Sequence, residues 1–347
     1  MKLARKSSQH ILAHRAIDRS VAALANVGLA VATVALTVGA GTTFAQSQTP
    51  AYPVKPIRMI APFPPGGTSD VIGRIVGAKL QEVLGQTVLV ENRAGAGGSL
   101  GTEVAARANP DGYTILVGNA SPISINPLLV KYQYETLRDF APVTMVARSP
   151  QLLVVHPSFP VKHIKELIPY IKANNGKVNY GSSGIGTLAH LAAEQFKNST
   201  STDMTHITYK GSILVVQDMV GGNVPLAWSD MAPALPQVKA GKLRALAVTS
   251  AKPSPLVPDV PTMSEVLPGF DMVNWWGLFV PAGTPRPIIT RLNGELLKIM
   301  KSPDVVDRFA GLGVEALSST PEELMTLVKN EIGSFGKLIK AANIKAD

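Results

Sequence analysis

Two short loops of this chain combine glycines with hydroxyl side chains, a composition suited to holding an oxyanion. The first, FPPGGTSD, spans Phe63 to Asp70 and lies between an apolar run and a helical pattern. Gly66 and Gly67 let the backbone approach a ligand, and Thr68 begins the stretch where the amides of a helix N-terminus point outward. The chemistry that this predicts is anion binding without a cationic side chain. The alternative is a tight turn followed by a helix N-cap.

The second loop, YGSSGIGTLAH from Tyr180 to His190, has the same layout after another predicted strand. A third junction, GNASPISIN, also follows a strand. In a parallel α/β sheet, ligands bind beyond the carboxyl ends of the strands, where each strand turns into its helix. We therefore expect the three junctions to meet at one edge and to offer donors to one ligand. Their candidate side chains are Thr68, Ser69, Asn119, Ser121, Asn126, Ser182, Ser183 and Thr187, with His190 one helical turn further on.

Two other chemistries fit parts of the second loop. The stretch from Gly184 to Ala189 fits the dinucleotide fingerprint G-x-G-x-x-A, and Asp203 stands near the distance of a ribose-binding acid. Residues 1–45 predict that the protein is exported, and export argues against dinucleotide binding, because soluble nicotinamide cofactors are scarce outside the cytoplasm. A secreted serine hydrolase built on Ser182 or Ser183 is the other alternative, although the pattern G-x-S-x-G fails at Ile185.

The chain offers little for metal binding or acid-base catalysis. It has no cysteine, and the histidines outside the N-terminal segment, at positions 156, 163, 190 and 206, make neither an H-x-x-x-H nor an H-E-x-x-H spacing. The acidic residues are scattered, and no basic run is interleaved with aromatic residues. We therefore expect no catalytic residues, no metal, no cofactor and no nucleic-acid partner.

The elements that position these loops alternate between apolar β-like runs and helical patterns, which is typical of an α/β chain with parallel strands. A length of 347 residues exceeds the comfortable size of one core, so we expect two lobes with a cleft between them. The predicted crossings lie near 145–150 and 270–277. They assign residues 50–148 plus 277–347 to a first, discontinuous lobe and 149–276 to a second.

Residues 1–45 have the layout of a secretory signal peptide. Basic residues precede an uncharged stretch from Val21 to Ala40, and small residues follow it. We predict cleavage at Ala45–Gln46 and a soluble, exported remainder; the alternative is an uncleaved membrane anchor, because the apolar stretch is long. Removing the leader's five Lys or Arg and one Asp lowers the formal charge from +9 to +5, a mild positive field that suits an anionic ligand.

Longer stretches of the chain resemble the Bug-type solute receptors, the periplasmic binding components of tripartite tricarboxylate transporters. The matching motifs run in order through nearly all of the chain after the leader and include YPVKPIRMIAPFPPGGTSD, ENRAGAGG, NYGSSGIGTLAHLAAEQF, ITYKGSILVVQDMVGGNV, PDVPTMSE and WWGLFVPAGTPRPIITRLNGEL. The resemblance implies a two-lobed, Venus-flytrap periplasmic-binding-protein fold with two hinge crossings. It also implies that the receptor delivers a carboxylate-bearing solute to a small and a large integral membrane subunit. We expect a monomer.

The resemblance further implies that the two loops grip the carboxylate, partly through ordered water. The ligand-contacting candidates carried over by position are Phe63, Gly67, Thr68, Asp70, Ser121, Ser182, Ser183, Thr187 and His190. Arg93 also matches the family, and we interpret it as part of a loop-tethering ion pair.

The chain departs from related amino-acid receptors after Trp228, where those receptors often have an acid and this chain has Ser229 followed by Asp230. Asp230 is predicted either to accept a ligand N–H or hydroxyl or to cap the next helix. Trp228 is predicted either to stack on a flat ligand or to lie in the core. A sensing role, in which the closed receptor reports to a histidine kinase, is the alternative to transport.

Overall fold

Ten strands form one mixed sheet in the computed structural model, which describes residues 52–345. The predicted signal peptide and its cleavage site lie outside the described residues. The order in the sheet is β2-β1-β3-β9-β4-β7-β5-β6, with β8 and β10 each paired to β4. The strands are β1 (Ile57–Ala61), β2 (Val88–Asn92), β3 (Thr114–Asn119), β4 (Phe140–Val155), β5 (Asn179–Ser182), β6 (Thr205–Thr208), β7 (Leu226–Asp230), β8 (Arg244–Val248), β9 (Val273–Pro281) and β10 (Glu315–Ala316).

Helices follow most of the strands. A π-helical turn, Ser121–Ile125, follows β3, and short 3₁₀ turns occupy Ala96–Gly98 and Met263–Glu265. None of the helices within residues 52–345 is both long enough and apolar enough to cross a membrane. The helices are α1 (Thr68–Leu84), α2 (Ser99–Ala106), α3 (Asn126–Leu129), α4 (Thr136–Asp139), α5 (Ile164–Ala173), α6 (Leu188–Thr200), α7 (Ser212–Val220), α8 (Met231–Lys239), α9 (Arg286–Ile299), α10 (Pro303–Gly311) and α11 (Pro321–Ala341).

The sheet consists of two groups of parallel strands joined by an antiparallel pair. In the first strand group, β1 pairs in parallel with β2 and β3; in the second strand group, β5 pairs in parallel with β6 and β7. Between them, β4 and β9 run antiparallel to each other and to their outer neighbours. The predicted crossings near 145–150 and 270–277 fall on β4 and on the start of β9. The lobe boundaries within these strands stay a prediction.

The prediction of parallel strands throughout is wrong for the central pair. The apolar run QLLVVH predicts a strand that begins at Gln151, whereas β4 runs for 16 residues from Phe140. Pro142 and Pro150 interrupt its alternating pattern, and its register with β9 shifts after Pro142. Proline lacks the N–H that a ladder needs and is tolerated at such irregular positions, so a long strand that contains two prolines reads as a loop.

Helix α1 carries the first loop on its N-terminus. Its buried residues recur at helical spacing, with Ile72, Ile75, Val76 and Leu80 facing the sheet. At its start, Gly67 occupies the N-cap position, where there is no side chain to cap the helix. The first-turn amides have no intrahelical acceptor, so they are available at the loop.

Candidate functional site

Asp70 fixes the conformation of the first loop. One of its carboxylate oxygens accepts the N–H of Gly66 at 2.9 Å and the Nε–H of Arg74 at 3.1 Å. Burial opposes ionisation of this carboxyl, but the hydrogen bonds from Arg74 and Gly66 outweigh it and hold its pKa below the ordinary value. Beside it, the carbonyl of Phe63 accepts the Nδ2–H of Asn92 at 2.9 Å. The Asp70 side chain therefore organises the loop from within.

Ser182 and Thr187 hold the second loop in shape. The Ser182 hydroxyl lies 2.7 Å from Nε2 of His206 and accepts the N–H of Gly184 at 3.2 Å. The Thr187 hydroxyl donates to the Gly184 carbonyl at 2.6 Å and caps α6 by accepting the N–H of His190 at 3.4 Å. Both hydroxyls are thus engaged inside the loop.

The hydroxyls of Ser183 and Ser229 are placed differently. Ser183 is 6% exposed, and its side chain makes no hydrogen bond within residues 52–345. Ser229 is fully buried and donates to the carbonyl of Asp230 at 3.2 Å. Ser183 therefore keeps a hydroxyl that a ligand can use, whereas Ser229 is tied to its own strand end.

Two imidazoles support the second loop from behind. The rings of His190 and His206 stack with centroids 4.6 Å apart and an interplanar angle of 11°. Nδ1 of His190 accepts the N–H of Gly186 at 3.3 Å. Burial, reinforced by the neighbouring His190, lowers the pKa of His206 to about 4, so His206 is neutral at neutral pH. Sequence reasoning missed His206, because its pairing with the loop depends on the parallel register of β5 and β6.

Two hydroxyls of the first strand group reach across to the second. Ser121, in the turn after β3, accepts the N–H of Leu188 at the start of α6 at 3.2 Å. Thr68, at the start of α1, donates to Asp230 at 3.3 Å. The junctions after β1, β3 and β5 consequently lie at one interface between the two strand groups.

Asp230 is the acceptor at the centre of a buried hydrogen-bond cluster. Its Oδ2 accepts the hydroxyls of Thr68 at 3.3 Å and Ser212 at 3.0 Å. Its Oδ1 accepts the side-chain amides of Gln151 and Asn274, each at 3.3 Å. Burial raises the pKa of this carboxyl, and the four hydrogen bonds oppose that rise. We name these residues the Asp230 cluster.

The Asp230 cluster ties both strand groups to both central strands. Gln151 lies on β4, Asn274 on β9, and Ser212 at the start of α7. The side chain of Asp230 does not cap α8, so the helix-cap prediction for it is wrong. Sequence reasoning missed Gln151, Ser212 and Asn274, because only the pairing of distant strands brings them together.

Glycines occupy the closest approaches between the two strand groups. A Cβ on Gly211 would lie 2.6 Å from Cδ of Pro64, and one on Gly186 would overlap Oδ1 of Asn126. A Cβ on Gly97 would lie 2.7 Å from a backbone oxygen of the second loop. Contacts this short leave no room for a methyl group, so the interface in this arrangement requires glycine.

Three buried polar atoms at or near the interface have no hydrogen-bond partner in the described part of the chain. They are Nε1 of Trp228, Oε1 of Gln151 and Oδ1 of Asn126. Trp228 is fully buried, packs edge-on to Tyr180 at 5.8 Å and lies against Phe196. Leaving a buried polar atom unpaired costs about 1–3 kcal/mol. A ligand or water that forms a hydrogen bond with such an atom removes this cost, which favours its binding.

The remaining sequence candidates occupy other places. Arg93 forms an ion pair with Glu91 on the surface, as its interpretation as a tethering residue requires. Asp203, the candidate ribose-binding acid, is exposed and pairs with Lys197 at 3.3 Å. Within residues 52–345, no group of three or more metal-ligating side chains is positioned to hold an ion.

Glu331 on α11 is a partly buried acid next to the turn that carries Ser121. Its carboxylate accepts the Nε1–H of Trp275 at 2.7 Å. Burial raises the pKa of Glu331 to about 7, against the opposing hydrogen bond from Nε1 of Trp275. The folded protein therefore retains a proton here at pH values where the unfolded chain, with an ordinary pKa of 4.5, has lost it.

This retained proton predicts a pH-dependent difference between the wild type and Glu331→Gln. Because the folded state holds the extra proton, the contribution of Glu331 to the free energy of unfolding is full below pH 4.5 and falls as pH rises to about 7. Urea denaturation should show the wild type losing on the order of 2 kcal/mol relative to the variant across that range. The lowered pKa of His206 gives the free energy of unfolding the opposite dependence on pH. This dependence is the same in the wild type and in Glu331→Gln, so it does not affect the difference between them.

Glu322→Gln is the matched control, because its side chain lies on the same helix and is 65% exposed. This control loses an exposed ion pair with Arg286 and reports the effect of a Glu-to-Gln change on the surface of the same helix. A Glu331→Gln difference that does not change between pH 4.5 and 7 would contradict the assignment of a retained proton.

The chain matches proteins of known family over most of its length. The model of the "Tripartite tricarboxylate transporter family receptor" matches residues 72–344. Protein BugT of Bordetella pertussis is 37% identical over 327 residues, covering 93% of this chain and 98% of BugT. The solved structure of the periplasmic binding protein BugD is 36% identical, with a TM-score of 0.81, and the match covers 85% of this chain and 99% of BugD.

Two further structures similar to this chain contain carboxylates. An R. palustris protein solved with adipate is 33% identical, with a TM-score of 0.82, over 85% of this chain and 99% of that one. MatC from Rhodopseudomonas palustris, with bound malate, is 31% identical, with a TM-score of 0.79, over 83% of this chain and all of MatC. The sheet of two strand groups is accordingly the two-lobed fold of periplasmic binding proteins of this type. The chain belongs to the tripartite tricarboxylate transporter receptor family, whose members are periplasmic solute-binding proteins.

Proposed function

We propose that this protein is a periplasmic receptor that closes its two lobes around a small solute carrying a carboxylate group. The observation that carries the proposal is that the N-termini of α1 and α6 lie at one interface with hydroxyl groups beside them. In α6, the N–H groups of Leu188 and His190 already donate to hydroxyls, whereas α1 has no side-chain cap, so the first-turn amides of α1 are those offered to a ligand. First-turn N–H groups without intrahelical acceptors sit at the positive end of the helix dipole. Each such end favours an anion by about 0.3–1 kcal/mol, and by more when it is partly buried.

The Asp230 cluster orients the solute within the cleft. Each oxygen of Asp230 already accepts two hydrogen bonds, so this side chain offers no donor to a solute carboxylate, whose oxygens only accept. The carboxylate of the solute therefore lies toward the first-turn amides after Gly67 and the free hydroxyl of Ser183. The side chains of Asp70, Ser182, Thr187 and Ser229 shape the cleft from within their own loops and strand end. The residues proposed to form the cleft are Phe63, Gly67, Thr68, Asp70, Ser121, Ser182, Ser183, Thr187, His190, Trp228, Ser229 and Asp230.

Adipate and malate in related structures support a carboxylate as the solute class. The leader supports export, with cleavage at Ala45–Gln46, and a family named for a transporter supports delivery to a small and a large membrane subunit. Lobe closure follows from ligand binding: a solute that contacts both lobes stabilises the arrangement in which they meet. The monomer and the lobe boundaries at 148/149 and 276/277 are part of the proposal.

Isothermal titration calorimetry tests the proposed function. The panel contains adipate, malate, citrate, benzoate and glutamate, each with its amide or alcohol counterpart, and glucose as a neutral solute. At least one acid should bind, and its neutral counterpart should bind at least about tenfold more weakly. Binding of glucose without binding of any acid would contradict the proposal.

One contact favours a second candidate function, a serine hydrolase. Oγ of Ser182 lies 2.7 Å from Nε2 of His206, which is the geometry of a nucleophile and its base. Against it, Ser182 is fully buried and the pKa of His206 is lowered to about 4, which makes the imidazole a poor base. A fluorophosphonate probe should leave Ser182 and Ser183 unlabelled; labelling of either, lost in the matching alanine variant, would favour the hydrolase.

A further inference from the structure

We propose that the rim of the first lobe beside the cleft is a docking surface for an outward-facing loop of the transporter's membrane subunit. This inference rests on the proposed function. The surface consists of four exposed apolar side chains, three cations around them and a cavity at the seam between the lobes. We name it the rim surface; its apolar side chains are Leu100, Val104, Leu128 and Val130.

The apolar side chains are more exposed than their size favours. Leu100 is 52% exposed, Val104 38%, Leu128 37% and Val130 39%. Leu100 and Val104 are one turn apart on α2 and therefore share a face of that helix. Exposed apolar side chains that cluster, unlike scattered ones, mark surfaces that another molecule covers.

The segment after α3 runs along α2 and joins the two halves of this surface. Glu103 accepts the N–H of Gln133 at 2.9 Å, and Arg107 donates to the Gln133 side chain. At about 100° per residue, Glu103 and Arg107 lie on the stripe of α2 next to that of Leu100 and Val104. At the other end of the segment, Asn126 at the start of α3 donates to the Gly97 carbonyl at 3.0 Å and to Oγ of Ser99 at 2.9 Å. Helix α3 and the segment after it therefore lie beside α2.

The seam cavity continues the surface onto the second lobe. It has a volume of about 430 Å³, and Gly97, Val130 and Tyr132 line it from the first lobe. Ile185, Tyr209 and Lys210 are among the residues that line it from the second lobe. Because its walls come from both lobes, the cavity exists only when the lobes meet. A partner that inserts a side chain here distinguishes a closed, loaded receptor from an open one.

The charges around the rim surface indicate the chemistry of its partner. Arg107, Lys131 and Lys210 are exposed and form no ion pair within residues 52–345. The acids near these cations include Glu103, which accepts from Gln133, and Asp218, which accepts the hydroxyl of Tyr209 at 2.6 Å. A basic surface with an apolar centre fits a segment that carries acidic and apolar side chains. Loops on the outer side of a membrane protein are poor in Lys and Arg, because those residues concentrate on the cytoplasmic side.

Two double variants test the inference. Leu100→Ser with Val104→Ser removes apolar contact, and Lys131→Glu with Lys210→Glu reverses charge. All four side chains are exposed, so the fold should be kept, and calorimetry with the tightest-binding acid of the panel should give a Kd within about twofold of the wild type. The same acid, labelled with ¹⁴C, is then supplied to the source bacterium with each variant in place of the chromosomal copy.

The initial uptake rate should fall about tenfold or more in both double variants, the size of effect that a central docking contact has. The controls are Val83→Ser with Leu89→Ser, exposed by 48% and 57% elsewhere on the first lobe, and Lys242→Glu with Lys252→Glu. Both controls should keep at least about half of the wild-type rate. Wild-type uptake in the rim variants, an equal fall in the controls, or uptake that survives deletion of the receptor would overturn the inference.

An anionic membrane surface would also attract a basic, apolar patch. Co-sedimentation with phosphatidylglycerol vesicles distinguishes binding to lipid from binding to the membrane subunit. Vesicle binding by the wild type that is lost in the rim variants would assign the surface to lipid and overturn the inference. If no acid of the panel binds in calorimetry, the proposed function fails. That result differs from a failure of docking, in which the acid binds but the rim variants keep the wild-type uptake rate.

Discussion

Replacing Gly211 by alanine is expected to weaken carboxylate binding by about 10- to 100-fold while leaving the fold intact. The added Cβ would lie 2.6 Å from Cδ of Pro64 in the first loop, so the lobes would be held apart at this point. The backbone of Gly211 is extended (φ 160°), and alanine adopts it without strain. Overpacking of this kind costs about 1–3 kcal/mol, and here it falls on the closed arrangement alone. Calorimetry with the acid that binds the wild type measures the effect.

Gly333→Ala is the control for this prediction. A Cβ at Gly333 meets nothing within 4 Å, and the residue lies within α11, where alanine is the better helix former. Its affinity should equal that of the wild type. Wild-type affinity in Gly211→Ala as well would show that closure at Pro64 is not required for binding.

Replacing Asp230 by alanine is expected to lower the free energy of unfolding by about 3 kcal/mol and to abolish measurable carboxylate binding. The change leaves the hydroxyls of Thr68 and Ser212 and the amides of Gln151 and Asn274 facing an empty space. Unpaired buried donors are costly, and these four come from both lobes and both central strands. Urea denaturation and calorimetry together measure the loss.

Asp230→Asn distinguishes the hydrogen bonds of the cluster from its charge. Asparagine keeps an acceptor for the amides of Gln151 and Asn274, and the hydroxyls of Thr68 and Ser212 can turn to accept from its Nδ2–H. This variant should therefore be at least about 1.5 kcal/mol more stable than Asp230→Ala. It should also favour dicarboxylates over monocarboxylates more than the wild type does, because the amide that replaces the Asp230 carboxyl can donate a hydrogen bond to a second carboxylate. Equal stability of the two variants would contradict the role given to the cluster.

The local elements could be read from the sequence because their signals are local. The helical pattern of the sequence predicts a helix from Ser212 to Val220, where α7 lies, and one from Ser69 to Leu84, where α1 begins one residue earlier. The loops after β1 and β5 were found from glycines and hydroxyls, which act at their own positions. The length of β4 escaped prediction because Pro142 and Pro150 resemble loop residues, although the pairing with β9 accommodates them.

The partners within the candidate site could not be read in the same way. That Ser182 meets His206, and that Gln151 and Asn274 meet Asp230, depends on strand register over separations of 24 to 79 residues. Sequence proximity suggested Asp70 and Thr187 as ligand contacts, whereas their side chains are engaged in shaping their own loops. Tertiary pairing decides which polar groups stay free, so a list of polar residues in a loop overstates the number that face a ligand.

A crystal structure of the protein with the acid that binds most tightly in calorimetry tests the central claim most directly. The account predicts closed lobes with the carboxylate between the N-termini of α1 and α6, within hydrogen-bond distance of a first-turn amide of α1 and of the Ser183 hydroxyl. It also predicts that no carboxylate oxygen of the solute contacts Asp230. An acid bound with its carboxylate on Asp230, or bound outside the cleft between the two loops, would contradict the account.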